Sequence, residues 1–152
     1  MNNNTFKVLF DTNVLVYLFD SNEIRRQNQA CKLLNLFKSN NLGCLSTQCL
    51  SEFVNVTTRG YHPILTKDKM YLELLRFQKI FSIIPINYSI VLEAARGFKD
   101  HNLSFFDAQI WAAAKLNQIP VIFSEDFQDG RTLEGVRFVN PFSKAFDISQ
   151  WG

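Results

Sequence analysis

Short apolar runs recur along the chain, and stretches of ten or more helix-forming residues separate them. The five runs are F-K-V-L-F before Asp11, G-C-L-S at 43–46, S-I-I-P-I at 82–86, P-V-I-F-S at 120–124 and V-R-F-V at 136–139. Parallel strands need a long crossover between them, which a helix usually supplies. The alternation therefore predicts an α/β protein built from βα units around a parallel sheet.

The composition fits one folded domain. No internal repeat, low-complexity tract or Pro/Gly/Ser-rich linker interrupts the pattern, so we expect a single domain over residues 1–152. Hydrophobic residues make up 47% and charged residues 20%, the balance of a globular chain. A net charge of +2 is too small to indicate nucleic-acid binding from bulk charge, so any such binding must come from local arrangement.

The ends and the cysteines bear on the compartment. The segment M-N-N-N-T-F-K is not followed by a long apolar stretch, so neither a secretory signal nor a membrane span is expected. Cys31, Cys44 and Cys49 are odd in number and lack C-x-x-C spacing, which favours small buried thiols over disulfides or a zinc site. These features predict a cytoplasmic protein without a membrane partner.

Three predicted helices carry or adjoin acidic residues. Thr47 is the predicted N-cap of a helix that ends at Gly60, and Ser104 is the predicted N-cap of a helix closed by Asn117. A third helix is expected to begin just past Asp11, where the first strand ends.

Two acids lie at predicted strand ends. Asp11 follows the first strand and Asp126 follows the fourth, and ligands of open α/β sheets bind at the carboxyl ends of strands. If these strands are neighbours, both carboxylates face one crevice. The alternatives are helix capping for Asp11 and turn formation for Asp126, and Glu125 or Asp129 of the same loop remain open as replacements.

Two further acids lie on apolar sides of predicted helices. Helical spacing places Glu52 on the same side as Cys49 and Phe53, and it places Asp107 on the side of Trp111. A buried carboxylate is expensive unless something pairs with it. The alternatives are a Glu that reaches solvent and an acid that favours the first turn of its helix through the macrodipole.

The acids point to a chemistry when they are considered as a set. Like charges gathered at one crevice repel, and a hard divalent cation held by oxygen ligands relieves the repulsion. Carboxylate and water ligands favour Mg²⁺ or Mn²⁺ over zinc. Phosphodiester hydrolysis fits such a site, because bound metal activates water and neutralises charge on the phosphate.

Four ordered blocks carry a family resemblance. They are F-D-T-N-V-L-V-Y around Asp11, S-T-Q-C-L-S-E-F-V-N-V around Glu52, L-S-F-F-D-A-Q-I-W-A-A-A around Asp107, and S-E-D-F-Q-D-G followed by V-N-P-F. In these blocks the chain resembles the PIN-domain nucleases and, within them, the VapC-type toxins of toxin–antitoxin pairs. The blocks run from residue 8 to about 142, so the resemblance implies one PIN domain with a core over about 6–142.

The resemblance implies both a fold and a function. The implied fold is a three-layer α/β/α domain with a five-stranded parallel sheet flanked by helices. The implied function is Mg²⁺- or Mn²⁺-dependent endoribonuclease activity on RNA, in a homodimer that a small, separately encoded antitoxin inhibits. By position, the implied catalytic metal ligands are Asp11, Glu52, Asp107 and Asp126, with Asn13, Ser124 and Asp129 as supporting residues.

Several other side chains have two alternative roles, one in RNA binding and one in the surface or the core of the fold. Arg59 and Arg131 follow the Glu52 and Asp126 blocks and would meet RNA phosphates, or else they are solvated surface charges. The aromatic residues near the acids would stack on RNA bases, although helical spacing favours core packing; they are Tyr17, Phe53, Phe105 and Phe106. The histidines are predicted to be surface residues without a general-base role; they are His62 and His101.

Two rival functions stay open at this point. One is a catalytically silent PIN-like module that binds RNA or protein. The presence of all four acids argues against it, because a scaffold could replace these acids by apolar residues at little cost in stability. The other is a receiver-like or phosphatase-like α/β domain. The phosphatase pattern lacks its second acid, because Asn13 stands two residues after Asp11, and the receiver pattern lacks a Lys after the fourth strand, where Glu125 stands.

Overall fold

The structure, a computed structural model, describes residues 5–152. The expectation about the start of the chain falls partly on residues 1–4, which lie outside the described residues. Within 5–152, no helix is long and apolar enough to cross a membrane.

Strands and helices alternate through most of the chain. The strands are β1 Val8–Phe10, β2 Gly43–Ser46, β3 Ser82–Ile84, β4 Val121–Phe123, β5 Thr132–Leu133 and β6 Val136–Val139. The helices are α1 Thr12–Tyr17, α2 Ile24–Asn40, α3 Thr47–Thr58, α4 Lys67–Ile80, α5 Tyr88–His101 and α6 Phe105–Leu116, and a 3₁₀ helix, η1, covers Ile148–Trp151.

The sheet has the strand order β3-β2-β1-β4-β6-β5, and all neighbours are parallel except β5 and β6. This confirms the predicted α/β fold with a mostly parallel sheet. The predicted first and fourth strands are neighbours, with Val8 opposite Val121 and Phe10 opposite Phe123. Strand order reverses between β1 and β4, so a crevice opens at their carboxyl ends.

The expected strand number of five is wrong by one short strand. Thr132–Leu133 pairs antiparallel with the last strand through a two-residue turn at Glu134 and Gly135, whose φ angles are 46° and 86°. Such a turn needs positive φ at both central residues, which Gly adopts without strain and other residues adopt rarely. The E-G pair between apolar residues is therefore the sequence signal for the extra strand.

Helices cover both faces of the sheet because the strands are apolar on both sides. Along β1, Val8 and Phe10 belong to a core of aromatic and aliphatic residues that includes Phe37 of α2 and Phe77 of α4. Leu9 points to the opposite face, where α5 and α6 pack. This double burial explains why the strands read as continuous apolar runs rather than alternating ones.

The helix that carries Glu52 begins differently from the prediction. Ser46, the last residue of β2, is the N-cap, and its hydroxyl accepts a hydrogen bond from the Cys49 backbone N–H at 3.2 Å. Thr47 is the first helical residue instead, and its hydroxyl accepts from the Ile86 N–H. Both residues can cap a helix, and the immediate continuation of β2 into α3 selects the earlier one.

The boundaries predicted for α6 agree with the structure, whereas α3 ends at Thr58, with the extended Arg59 as its C-cap, just before the predicted end at Gly60. The Ser104 hydroxyl caps α6 by accepting from the Asp107 N–H, and Asn117 is the C-cap.

The prediction of three buried thiols is wrong for Cys31, which is exposed on α2 although its neighbour Ala30 is buried. Cys44 and Cys49 are buried as expected, and all three thiols are free.

Candidate active site

Asp11 lies where the sheet opens, and it is 3% exposed. Its backbone N–H donates to the Phe123 carbonyl at 2.9 Å, which extends the β1–β4 ladder by one bond. Its carboxylate accepts from the Thr12 N–H and from the Ser124 hydroxyl, each at 2.7 Å. Burial raises the pKa of Asp11 from 3.8 to about 6, although these two hydrogen bonds oppose the rise.

Ser124 is the residue that joins the ends of β1 and β4. While its hydroxyl donates to Asp11, the hydroxyl oxygen accepts from the Asp126 backbone N–H at 3.1 Å and from the Asn13 amide at 3.4 Å. The Asn13 carbonyl oxygen Oδ1 is buried and has no hydrogen-bond partner within residues 5–152. Buried polar atoms are usually hydrogen-bonded, so this oxygen is available to a bound water molecule or cation.

Glu52 projects from α3 toward the same turn and is half-buried. One carboxylate oxygen accepts from the Thr12 hydroxyl at 2.8 Å, and the other accepts from the Gln48 amide at 2.9 Å. Thr12 therefore links the two acids, because its backbone bonds Asp11 and its hydroxyl bonds Glu52.

Asp107 lies in the first turn of α6 and is half-buried. Burial raises its pKa, the Ser104 hydroxyl opposes the rise, and the negative charges of Asp126 and Glu52 add to it. The same two charges also raise the pKa of Asp11. Charge interactions of this kind require proximity, so the four acids form one electrostatic group.

Asp126 is exposed at the rim of a cleft of about 290 Å³. Glu52, Thr12 and Asn13 line the same cleft, and Asp11 lies beneath it through its bond to Thr12. The structure thus brings together acids from four separate elements, which are the ends of β1 and β4 and the helices α3 and α6. These are the four acids that the sequence predicted as a set.

The two other acids of the loop after β4 lie elsewhere. Glu125 accepts hydrogen bonds from the Tyr17 hydroxyl and from Arg26, the latter at 3.0 Å. Asp129 accepts from the Asn140 backbone N–H at 2.9 Å and lines a different cleft. Of the three acids left open by the sequence, only Asp126 faces Glu52.

The remaining predicted residues are spread over the surface and core. Arg59 is exposed beyond the end of α3, and Arg131 lies before β5 with its carbonyl bonded to the Phe138 N–H. Of the aromatic residues, Phe53 is fully buried, whereas Phe106 is 63% exposed, against the expectation of core packing. The others are half-buried, namely Tyr17 and Phe105; His62 is exposed, and His101 pairs with Glu134 at the end of α5.

The acid group lacks a protein cation. Within residues 5–152, no Lys, Arg or His forms an ion pair with any of the four acids. In the same residues no three Asp, Glu, His or Cys side chains lie close enough to hold one metal ion, so a carboxylate must turn inward before three can share one. The donor set nevertheless fits a hard cation, because it consists of carboxylates and the unpartnered Asn13 carbonyl.

Two residues that contribute to the site were not predicted from the sequence. Thr12 and Gln48 each donate a hydrogen bond to one oxygen of Glu52, but in the sequence each resembles an ordinary helix residue. A signal did exist for Gln48, since it precedes Glu52 by four residues and such pairs share a helix face. No local pattern indicates the bond from Thr12, because it crosses between two helices.

The fold and the cleft together define an α/β protein with a carboxylate-lined site at the carboxyl edge of its sheet. The PIN domain family model matches residues 8–129, which is most of the chain. This chain therefore belongs to the PIN domain family, as its sequence blocks indicated. No curated protein sequence matches it closely enough to serve as a relative.

Solved structures share the fold. A toxin–antitoxin complex from Klebsiella pneumoniae is 22% identical with a TM-score of 0.64, over 89% of this chain and 98% of that chain. VapC20 from Mycobacterium tuberculosis, described as a sarcin-ricin loop cleaving toxin, is 18% identical with a TM-score of 0.66, over 86% and 99%. VapBC2 from Rickettsia felis, bound to a promoter DNA fragment, is 14% identical with a TM-score of 0.65, over 88% and 97%.

Proposed function

We propose that this chain is an endoribonuclease that depends on Mg²⁺ or Mn²⁺ and hydrolyses RNA phosphodiester bonds. The observation that carries the proposal is the burial of Asp11 beside three other acids, with no protein cation paired to the group among residues 5–152. Membership of the PIN domain family supports it, and so does the likeness to a solved structure named as a sarcin-ricin loop cleaving toxin.

The residues have separable roles in this proposal. Asp11, Glu52, Asp107 and Asp126 would hold the metal, with the Asn13 carbonyl as an additional oxygen donor. When bound, the metal lowers the pKa of a water molecule and neutralises charge on the phosphate.

The surrounding hydrogen bonds orient the donors. Ser124 fixes one oxygen of Asp11, while Thr12 and Gln48 fix the two oxygens of Glu52. Such partners commonly contribute about 10- to 100-fold to metal affinity or activity. Asp11 also keeps the crevice negatively charged above its pKa, so the site favours a cation over an anion when empty of substrate.

The test is cleavage of a mixed structured RNA pool by wild type and Asp11→Asn, with Mg²⁺ or Mn²⁺ and then with excess EDTA. We expect discrete cuts that require both metal and Asp11. The cleavage rate of the variant should fall by more than about 100-fold, which exceeds the effect of losing a residue that only orients a ligand. Asp68→Asn, at an exposed position on α4, is the matched control and should cut like wild type.

The fourth acid is tested in the same assay. Asp126→Asn should lose cleavage, whereas Asp129→Asn should retain it, because the carbonyl oxygen of the new asparagine side chain would still accept from the Asn140 N–H. Equal cutting by wild type and Asp11→Asn refutes the mechanism. RNA binding by folded protein without metal-dependent cutting of cellular RNA would favour the silent binding module.

The partners follow the likeness to toxin–antitoxin structures. We propose that the chain is the toxin of such a pair, that it forms a homodimer and that a small antitoxin inhibits it. The free thiols of Cys31, Cys44 and Cys49 support a reducing, cytoplasmic location. Growth arrest on expression, rescued by co-expression of a neighbouring small gene, tests the toxin role, and light scattering after gel filtration tests the dimer.

A further inference from the structure

We propose that a second cleft, between α3 and α6, receives the nucleobase next to the scissile phosphate and so selects the RNA sequence that is cut. The proposal rests on the proposed ribonuclease function. This cleft has a volume of about 430 Å³, and Glu52 lines both it and the acid cleft. Phe106 lies on its wall, directly before Asp107 in the chain.

Phe106 has the properties of a stacking platform. Its ring is 63% exposed although it lies in a helix whose following residues from Ala108 to Ala114 are all buried. An edge contact with the Phe105 ring, at 5.5 Å between centroids, supports it from one side. An exposed and supported aromatic ring offers a face to any base, and such stacking contributes substantially to single-strand binding.

Gln109 supplies a polar group at the same cleft. Its side chain is 8% exposed, and its amide nitrogen donates to the Gln48 carbonyl at 2.8 Å. Within residues 5–152 its own carbonyl oxygen accepts no hydrogen bond, and one of its two N–H groups is also free. A fixed amide with a free donor and a free acceptor can read the edge of a base.

The cleft is connected to the acid site by hydrogen bonds. Gln48 accepts from Gln109 and donates both to Glu52 at 2.9 Å and to the Phe106 backbone carbonyl at 3.0 Å. A base bound against Phe106 and Gln109 would therefore contact residues that hydrogen-bond Gln48, the side chain that orients Glu52. Occupancy of the cleft and placement of a proposed metal ligand are thus linked through one side chain.

The chemistry of the lining favours a base over the phosphate groups of RNA. The side chains are apolar or neutral except for Glu52, and none is a Lys or Arg, so a phosphate would be repelled rather than held. A base is uncharged, flat and polar only at its edge, which matches an aromatic wall beside an amide. If the scissile phosphate lies at the four acids, the adjacent base must bind within the length of one nucleotide from them. The second cleft meets this requirement, because Glu52 lines both clefts.

The experiment compares Phe106→Ala with Phe98→Ala. Phe98 is 53% exposed on α5 and also contacts the Phe105 ring, so both variants remove a similar ring, but only Phe106 lines the cleft. Cut sites in a randomised RNA pool are sequenced, and KM and kcat are measured on the preferred substrate. We expect Phe106→Ala to flatten the preference at one nucleotide beside the cut, because a base that no longer stacks is not held against Gln109. The variant should also raise KM about 5- to 160-fold, with a smaller change in kcat.

Additional variants separate stacking and edge reading from packing. Phe106→Tyr should retain the preference, whereas Phe106→Leu should lose it although it keeps apolar bulk. Gln109→Leu should change which base is preferred. An unchanged cut-site profile in Phe106→Ala, or an equal change in Phe98→Ala, overturns the base-binding cleft while leaving the ribonuclease function standing.

A binding measurement keeps the proposal testable apart from cleavage. Asp11→Asn protein is titrated against short RNAs that carry 2-aminopurine at each position, because the fluorescence of this base changes when its stacking partners change. We expect a fluorescence change at one position, which disappears when Phe106→Ala is combined with Asp11→Asn but remains when Phe98→Ala is combined with it. Absence of a position-specific change overturns the cleft assignment. Failure of wild type to cut any RNA would instead refute the proposed function.

Discussion

Replacing Asp11 by Asn should stabilise the fold in metal-chelating buffer at neutral and alkaline pH. Asp11 is 3% exposed and carries a charge above its pKa of about 6, with the charges of Asp126 and Glu52 nearby. Asn removes the charge and keeps a carbonyl oxygen for the Thr12 N–H, and Asn caps helices about as well as Asp. The variant therefore loses the burial cost of the charge and keeps the cap, but it also loses the bond from the Ser124 hydroxyl, because the amide nitrogen of Asn cannot accept it. The loss of this bond does not depend on pH in the way that the loss of the charge does.

The magnitude follows from the pKa of Asp11. Each pKa unit corresponds to about 1.36 kcal/mol, so the rise from 3.8 to about 6 amounts to about 3 kcal/mol of destabilisation in the fully ionised protein. The folded acid binds its proton more tightly than the unfolded one. Stability is therefore lost as pH rises from about 4 through about 6, and the loss is complete above the folded pKa.

The assay is urea unfolding of wild type and variant in EDTA between about pH 4 and pH 8. The advantage of Asp11→Asn should grow by about 2.5 kcal/mol over this range and level off above about pH 7, because part of the full effect is already present at pH 4. Asp68→Asn, at an exposed site, controls for general effects of losing a charge. A difference between wild type and Asp11→Asn that does not change with pH would refute the argument that burial dominates at Asp11.

Three further changes test packing and the hydrogen bonds of the site. Trp151→Ala should lower the free energy of unfolding by about 3–5 kcal/mol in urea, because this 4% exposed ring fills the core. Gly97→Ala should lower the melting temperature through a cost of about 1–3 kcal/mol, since a Cβ would lie 2.5 Å from the Trp111 ring; an unchanged value contradicts the close approach. Ser124→Ala should raise the pKa of Asp11 above 6 in an NMR carboxyl titration, because it removes a bond that lowers this pKa.

Much of the fold could be predicted because its signals are local. Each of the five predicted runs becomes a strand, and the Ser104 cap lies where the helical pattern begins. The adjacency of the first and fourth strands was inferred only as the condition under which Asp11 and Asp126 share a crevice, and the β1–β4 pairing meets that condition. The β5 strand was not predicted, because two residues are too few to show a periodic pattern, although the turn at Gly135 could have been recognised in the sequence.

The choice among the three acids after β4 could not be made from the sequence. Glu125 does not line the acid cleft, and its carboxylate is bound by Tyr17 and Arg26, which lie 108 and 99 residues away along the chain. Burial of the phenol, together with its hydrogen bond to the Glu125 carboxylate, raises the pKa of Tyr17 to about 12. The contacts of Glu125 with Tyr17 and Arg26 form only because α1 and α2 pack against this loop, so no local sequence pattern indicates them.

The position of Asp11 weighs against a purely structural role for the acids. Its capping bond to the Thr12 N–H is one that Ser, Thr or Asn supplies without a charge. The structure instead keeps a buried carboxylate in a group with Glu52, Asp107 and Asp126, whose like charges repel. A neutral residue at any of these positions would relieve that cost in a scaffold or a binding module. A bound divalent cation would reverse the sign of the interaction for the whole group, and this is the physical argument for the metal-dependent catalysis proposed above.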